Sequence, residues 1–189
     1  MAAQTPYAEI VGPAEVWVAL YGTAKPAVNV TPGAGWLRLG ATTGEQKIQH
    51  KGSNTYYRDD DHQGPTKADR PEEDVIAMFT LKDITHQRLA TILHAASNIA
   101  TSTSPAISRV PNKRGETLTE YALIVKGRAH SPFGNYPAMN YIPRGVFDGE
   151  PEETHGKGKR WELECEFHAL EDDAQIPGYE LGWGEAQTI

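Results

Sequence analysis

Residues 159–170 read KRWELECEFHAL, and within them Glu162, Glu164 and Glu166 stand at alternate positions. In a strand, successive side chains point to opposite faces and residues two apart share one. Trp161, Leu163, Cys165, Phe167 and Ala169 then fall on one face, and Arg160, the three glutamates and His168 on the other. A helix would scatter these apolar residues around its circumference, so the alternation predicts a strand with its apolar face on a core. The glutamates look outward. Neighbours on that face sit about 6 to 7 Å apart, which makes a row of three like charges mildly unfavourable by itself. A solvated sheet face explains the row without any function. Carboxylates working as acid and base need environments that separate their pKa values. Three on one outward face share an environment, so a surface role is favoured over catalysis.

The chain of 189 residues is long enough for one well-buried core, and no composition break divides it, so a single domain over 1–189 is expected. The 18 glycines and 13 prolines imply many turns between short strands. The opening MAAQTPYAEIVGPAE has no basic and apolar leader pattern, and no run approaches the ~18 apolar residues of a membrane helix. The expectation is a chain kept in the cytosol, at least at first, without a membrane partner. A lone cysteine, Cys165, excludes an internal disulfide, and its inward strand position reads as a small core residue. The net charge is −7. Residues 1–70 carry seven acidic and seven basic side chains, so the whole acidic excess lies beyond them. That balance argues against a protein that grips nucleic acid through a basic stripe. It leaves room for one past which nucleic acid slides.

Other segments extend the β reading. EVWVALYG (15–22) and DVIAMFTL (74–81) are apolar on both faces, which calls for cover by a flanking helix or a neighbouring subunit. Between them, residues 45–74 contain hardly an aliphatic side chain and cannot bury themselves. Unstructured stretches of that length in a compact domain are uncommon and usually functional or disordered, so the segment, about 46–73, reads as a projecting arm or hairpin. Residues 46–57 could be an extended ribbon, with the remainder turn-rich. One helix is expected over about 85–97, with Asp83 or Thr85 as cap and Leu89, Ile92, Leu93 and Ala96 on its core face. Residues 97–113 read as a loop, ETLTEYALIVKGRA (116–129) as a strand, MNYIPRGVF (139–147) as a strand broken by Pro143, and 177–189 as a short aromatic tail.

Motifs for chemistry are sparse. The DDDH run at 59–62 is the best candidate for a metal or catalytic cluster, yet it lacks the spacing, glycine and terminal glutamate of an EF-hand loop. The seven histidines show no ligand spacing, and GxSxG, Walker and GxGxxG signatures are absent. GKGKR (156–160) lacks a following helix and reads as a hairpin tip. No cofactor is expected, nor an enzyme.

Taken in order, WVALYGTA, the LRLGATTGE turn, the long polar arm, VIAMFTLKDITHQRLATIL, ALIVKGRA, YIPRGVF and a last strand entering FHALEDD resemble the major tail tube proteins of long-tailed bacteriophages. The resemblance covers most of the chain, although its arm is richer in aspartate and proline than the family's pattern. It implies a mainly β fold, with β-sandwich or barrel-like antiparallel sheets, one flanking helix and a long arm. It further implies hexameric rings stacked into a tube in the virion tail, assembled in the host cytoplasm. Implied partners are other copies of the chain, tail proteins such as the tape measure and terminator, and double-stranded DNA passing through without specific binding. Glu162, Glu164 and Glu166 are then candidates for an acidic lumen, the alternative being the outside of the tube. Tyr56, Tyr57, Arg58, Asp59, Asp60 and Asp61 are candidates for contacts between subunits. Another phage ring protein, a sugar-binding sandwich using Tyr56, Tyr57 and Trp183, and a metal-dependent hydrolase stand as rival readings.

Overall fold

One antiparallel sheet, curled around a single interior, carries nine of the eleven strands in the computed structural model, which describes residues 9–82, 84–103, 106–111, 117–130, 137–148, 151–154, 156–158 and 161–186. The strands are β1 (Glu9–Leu20), β2 (Leu37–Arg38), β3 (Ala41–Tyr57), β4 (Lys67–Lys82), β5 (Ala100–Thr103), β6 (Ala106–Arg109), β7 (Tyr121–His130), β8 (Ala138–Asp148), β9 (Glu153–Thr154), β10 (Glu162–Ala169) and β11 (Trp183–Ala186); the helix α1 spans His86–Ile92. The sheet runs β2-β1-β7-β8-β10-β4-β3, with β11 beside β8 and β9 beside β10. It is not closed. Side chains bridge its two ends: the Thr42 hydroxyl and the Gln46 amide of β3 both donate to the Ala14 carbonyl of β1, at 2.8 and 3.1 Å. Val16, Val18, Phe79, Leu81, Leu123, Phe147, Leu163 and Phe167 meet in the interior, so strands from across the sheet share one core. Cys165 lies there too, and burial, aided by the charge of Glu164, pushes its thiol up to about 12.

The strand expected to break at Pro143 continues through it. Leu123 faces Ile142 while Tyr121 faces Gly145, so β8 holds one extra residue at Pro143 and Arg144. Such a bulge suits a residue that has no N–H to give the ladder. It also marks a change of partner. Before it, β8 pairs with β11 (Tyr141 with Trp183); after it, with β10 (Gly145 with Ala169). Gly145 permits that approach: a Cβ there would lie 2.4 Å from the His168 carbonyl and 2.5 Å from the Phe167 ring.

The second apolar face of β1, expected to need a helix or a neighbouring subunit, finds its cover within the chain, and the same cover extends over β7. Ala19, Ala122, Ile124, Met139 and Tyr141 lie beneath Trp36 and Val28 from the loop between β1 and β2, and beneath Trp183 of β11. Two polar contacts hold that loop down, Lys126 Nζ donating to the Val30 carbonyl at 2.8 Å and Lys25 pairing with Glu185, while Trp36 Nε1 donates to the Ala24 carbonyl at 3.1 Å within it. The aromatic tail is therefore part of the sheet, with Trp183 edge-on to Tyr141 at 4.8 Å.

The helix is shorter than its periodicity predicts. Thr85 caps it by accepting from the Arg88 amide, whereas Asp83 lies outside the described residues. Leu89 and Ile92 enter the core and Leu93 packs at its margin. Ala96, expected on the same face, is exposed in a separate 3-10 turn, Ala96–Asn98. The helix stops because His94 adopts φ 55°, with the Ala95 amide donating to the Ala90 carbonyl at 2.7 Å and the His94 amide to the Thr91 carbonyl at 3.2 Å. This is the Schellman pattern, with histidine where glycine usually stands. The buried ring explains the choice. Its Nδ1 accepts from the Thr119 amide at 3.0 Å, and Nε2 donates to the Phe147 carbonyl at 2.7 Å. Beyond it, the expected loop over 97–113 is instead largely a small hairpin, β5 with β6, whose sheet is separate from the main one.

Replacing Gly145 by alanine forces a methyl group against backbone and ring together, and overpacking of this kind costs about 1 to 3 kcal/mol. Urea unfolding of Gly145→Ala should show a lowered midpoint with an unchanged slope. Gly184→Ala, where the nearest contact is the movable Asn140 amide at 3.2 Å, should cost less.

Candidate functional site

The arm is a continuous hairpin. β3 and β4 pair from Ala41 with Lys82 out to Tyr57 with Lys67, so the second half is strand rather than the expected run of turns. Turns are confined to 58–66. Two irregularities shape it. Three residues, 44–46, oppose the single Phe79 near its base, which preserves the alternation, and Pro71 shares an extra-residue bulge with Arg70 farther out. Every residue from 49 to 74 is exposed. Beyond Gln49 and Ile76, neither edge of this ribbon has a partner strand among the described residues. Its own ties are thin: Arg70 bonds Asn54 and Glu73, each at 3.0 Å, and Lys67 sits 5.6 Å over the Tyr57 ring. Tyr56 and Tyr57 face solvent, as do Arg58, Asp59, Asp60 and Asp61. Asp59 meets His62 at 3.2 Å.

The three glutamates lie together on the outward face of β10. Glu164 is exposed, and Glu162 and Glu166 are half-buried. Lys82, Thr80 and Met78 of β4 stand opposite them, and Thr154 and Asp148 flank the other side. Glu166 Oε2 is 3.6 Å from His168 Nε2. The row is thus one acidic column on a mixed face. Among the described residues no three His, Cys, Asp or Glu side chains converge to hold a metal ion. No protein-family model matches this chain, and no curated protein sequence is detectably similar to it.

One polar cluster was not foreseen. It gathers residues from three strand ends and one bulge: Tyr21 after β1, Glu120 before β7, Asp172 after β10 and Arg144 within β8. Arg144 grips Glu120 with two parallel bonds of 2.9 and 2.8 Å, donates a third to the Glu171 carbonyl, and lies 5.4 Å over the Tyr21 ring. Asp172, only 2% exposed, accepts from the Tyr21 hydroxyl at 2.8 Å, Gln175 at 2.7 Å and the Ala174 amide at 3.2 Å. Burial alone would raise the Asp172 carboxyl; the bonds from Gln175, Tyr21 and Ala174, with the charge of Arg144, outweigh it and hold the group below the usual range. The hydrogen bonds from Arg144 likewise lower Glu120, and the bond to Asp172 raises Tyr21. Tyr21 and Asp172 stand 151 positions apart, so no local pattern could reveal them. With every acceptor satisfied, the cluster acts as a clamp.

Depressed carboxyls contribute stability that is present above their unfolded values, near pH 4, and lost as pH falls through the folded values. Asp172→Asn sets an amide N–H against one of three donors and should cost about 1 to 3 kcal/mol at pH 7. Calorimetry at pH 7 and pH 3 should show the gap between variant and wild type narrowing in acid.

Proposed function

We propose that this chain is a structural virion protein whose copies form hexameric rings, stacked into the tail tube of a long-tailed bacteriophage. The arm carries this reading. A two-stranded ribbon with both edges open is marginally stable in water by itself, and open edges invite pairing with another chain. A contact with further copies supplies cover for a segment that has no apolar face to fold onto its own body. The body supports the same view: the outer faces of β1 and β7 are already covered by its own loop and tail, whereas the arm has no such cover. The cluster in which the carboxyls of Glu120 and Asp172 are both lowered is a filled clamp rather than an open reaction site, which favours assembly over catalysis.

In this reading the glutamate column lines the lumen. A wall that bound phosphates would hold the genome through many contacts at once. An acidic wall repels a duplex over a Debye length of about 8 Å at physiological salt, enough to centre it without opposing ejection. DNA is then a passenger, and the tape measure and terminator proteins are neighbours inside and at the end of the tube. Electron microscopy of purified protein should show rings or filaments. Deleting 54–70 and closing with a short glycine linker should leave a folded monomer by sedimentation; normal tubes from that variant would sink the proposal. Replacing Glu162, Glu164 and Glu166 by glutamine should permit assembly, whereas three lysines should slow ejection most at low salt. Ejection at the wild-type rate would move the column off the lumen.

A further inference from the structure

The sheet fails to close between β1 and β3, and a cleft of about 370 Å³ opens along that seam. Ala14, Glu15 and Arg38 line one side, Thr42 and Lys82 the other, with Lys126 in the wall. Arg38 is neutralised by Glu15 at 2.9 Å. Lys82 has no ion pair among the described residues, although Glu162 stands across from it on β10. Lys126 donates to the Val30 carbonyl and has no ion pair among the described residues, with Glu15 close enough to act on its charge. Glu15 against Arg38, Lys82 and Lys126 leaves the cleft lining with an excess of two positive charges on a chain whose net charge is −7. At the far end of the same hairpin the tip offers the opposite charge: Asp59, Asp60 and Asp61 against Arg58 leave a net of two negative charges, and Asp60 and Asp61 have no ion pair among the described residues.

We propose that the seam cleft of one copy receives the aspartate tip of another copy's arm. This contact presupposes the self-assembly proposed above and names the surface that receives the arm. Geometry makes it intermolecular. The cleft lies at Ala41 and Thr42, where β3 begins, and the tip follows Tyr57, where it ends. From Thr42 to Tyr57 the irregularity at 44–46 absorbs two residues, and the remaining thirteen or so steps of about 3.3 Å hold the two about 40 to 45 Å apart, so the tip cannot fold back onto its own cleft. A patch that binds a different patch on the next copy is heterologous, and such contacts close into rings or propagate as stacks. Burial holds Lys126 below the usual lysine range, with Glu15 acting the other way, so an arriving carboxylate restores to that ammonium what desolvation removed. Thr31 adds a hydroxyl group to the same wall.

A charge swap tests the pairing. The tip variant carries Asp59→Lys, Asp60→Lys and Asp61→Lys; the cleft variant carries Lys82→Glu and Lys126→Glu; a third chain carries all five. Sedimentation velocity across a concentration and salt series reads assembly, and thermal unfolding of each monomer reads folding. Each partial variant should raise the concentration needed for assembly by about tenfold or more, because several exposed pairs of up to ~1 kcal/mol each are lost. The five-substitution chain should assemble again at close to the wild-type concentration, which a merely misfolded variant could not do. Wild-type protein that assembles with both partial variants unimpaired, or a five-substitution chain that stays impaired, overturns the pairing and leaves the tube reading standing. Loss in the cleft variant alone points to another anion in the cleft and also overturns it. Wild-type protein that remains monomeric throughout removes both.

Discussion

The close approach of β8 to β10 at Gly145 is the constraint on which the rest of the fold depends. Because no side chain intervenes, the His168 carbonyl and the Phe167 ring come deep inside the van der Waals distance of where a Cβ would stand. The bulge at Pro143 and Arg144 turns the strand just before this point, so β8 serves β11 with one half and β10 with the other. That single exchange lets a sheet of this width bend around one interior rather than spread flat, and it brings Phe147 and Phe167 into edge contact at 5.0 Å. Arg144, thrown outward by the same bulge, reaches Glu120 and Glu171 and so ties the bend to the neighbouring strand ends.

Bending alone would leave the backs of β1 and β7 in water. The loop over 21–36 and the strand β11 lie across them, and the bonds that hold the loop are few and directed rather than broad. Trp36 and Trp183 supply the apolar area, while Lys25 and Lys126 fasten the chain between them. The helix closes the interior elsewhere. Its end is set by His94, whose two ring nitrogens are engaged by Phe147 and Thr119, so a positive φ that costs a non-glycine residue energy is held by two buried hydrogen bonds.

Body and arm follow opposite rules. In the body, stability comes from burial around the shared interior. In the arm, pairing is almost wholly backbone to backbone with charged and hydroxyl side chains on both sides, so it gains little from solvent exclusion until another surface covers it. The same hairpin thus contributes to the core at its base, through Ala77, Phe79 and Leu81, and remains available for contact along its outer half.

The alternation through Leu163, Cys165 and Phe167 determined a strand with its glutamates outward, because a period of two depends on nothing beyond the strand itself. The near-absence of aliphatic residues over 45–74 likewise determined an arm, since a segment with so little apolar surface cannot fold inward wherever it is attached. What covers β1 and β7 was decided only in three dimensions, by Trp36 and Trp183 arriving from distant parts of the chain. So was the end of the helix: Leu89, Ile92 and Leu93 continue to Ala96 in a helical period, and only the partners of His94, 25 and 53 positions away, interrupt it. The clamp of Tyr21, Glu120, Arg144 and Asp172 and the cationic seam share that origin. Each assembles charges that look unrelated along the chain, and charge is read from its neighbours in space, which local periodicity does not record.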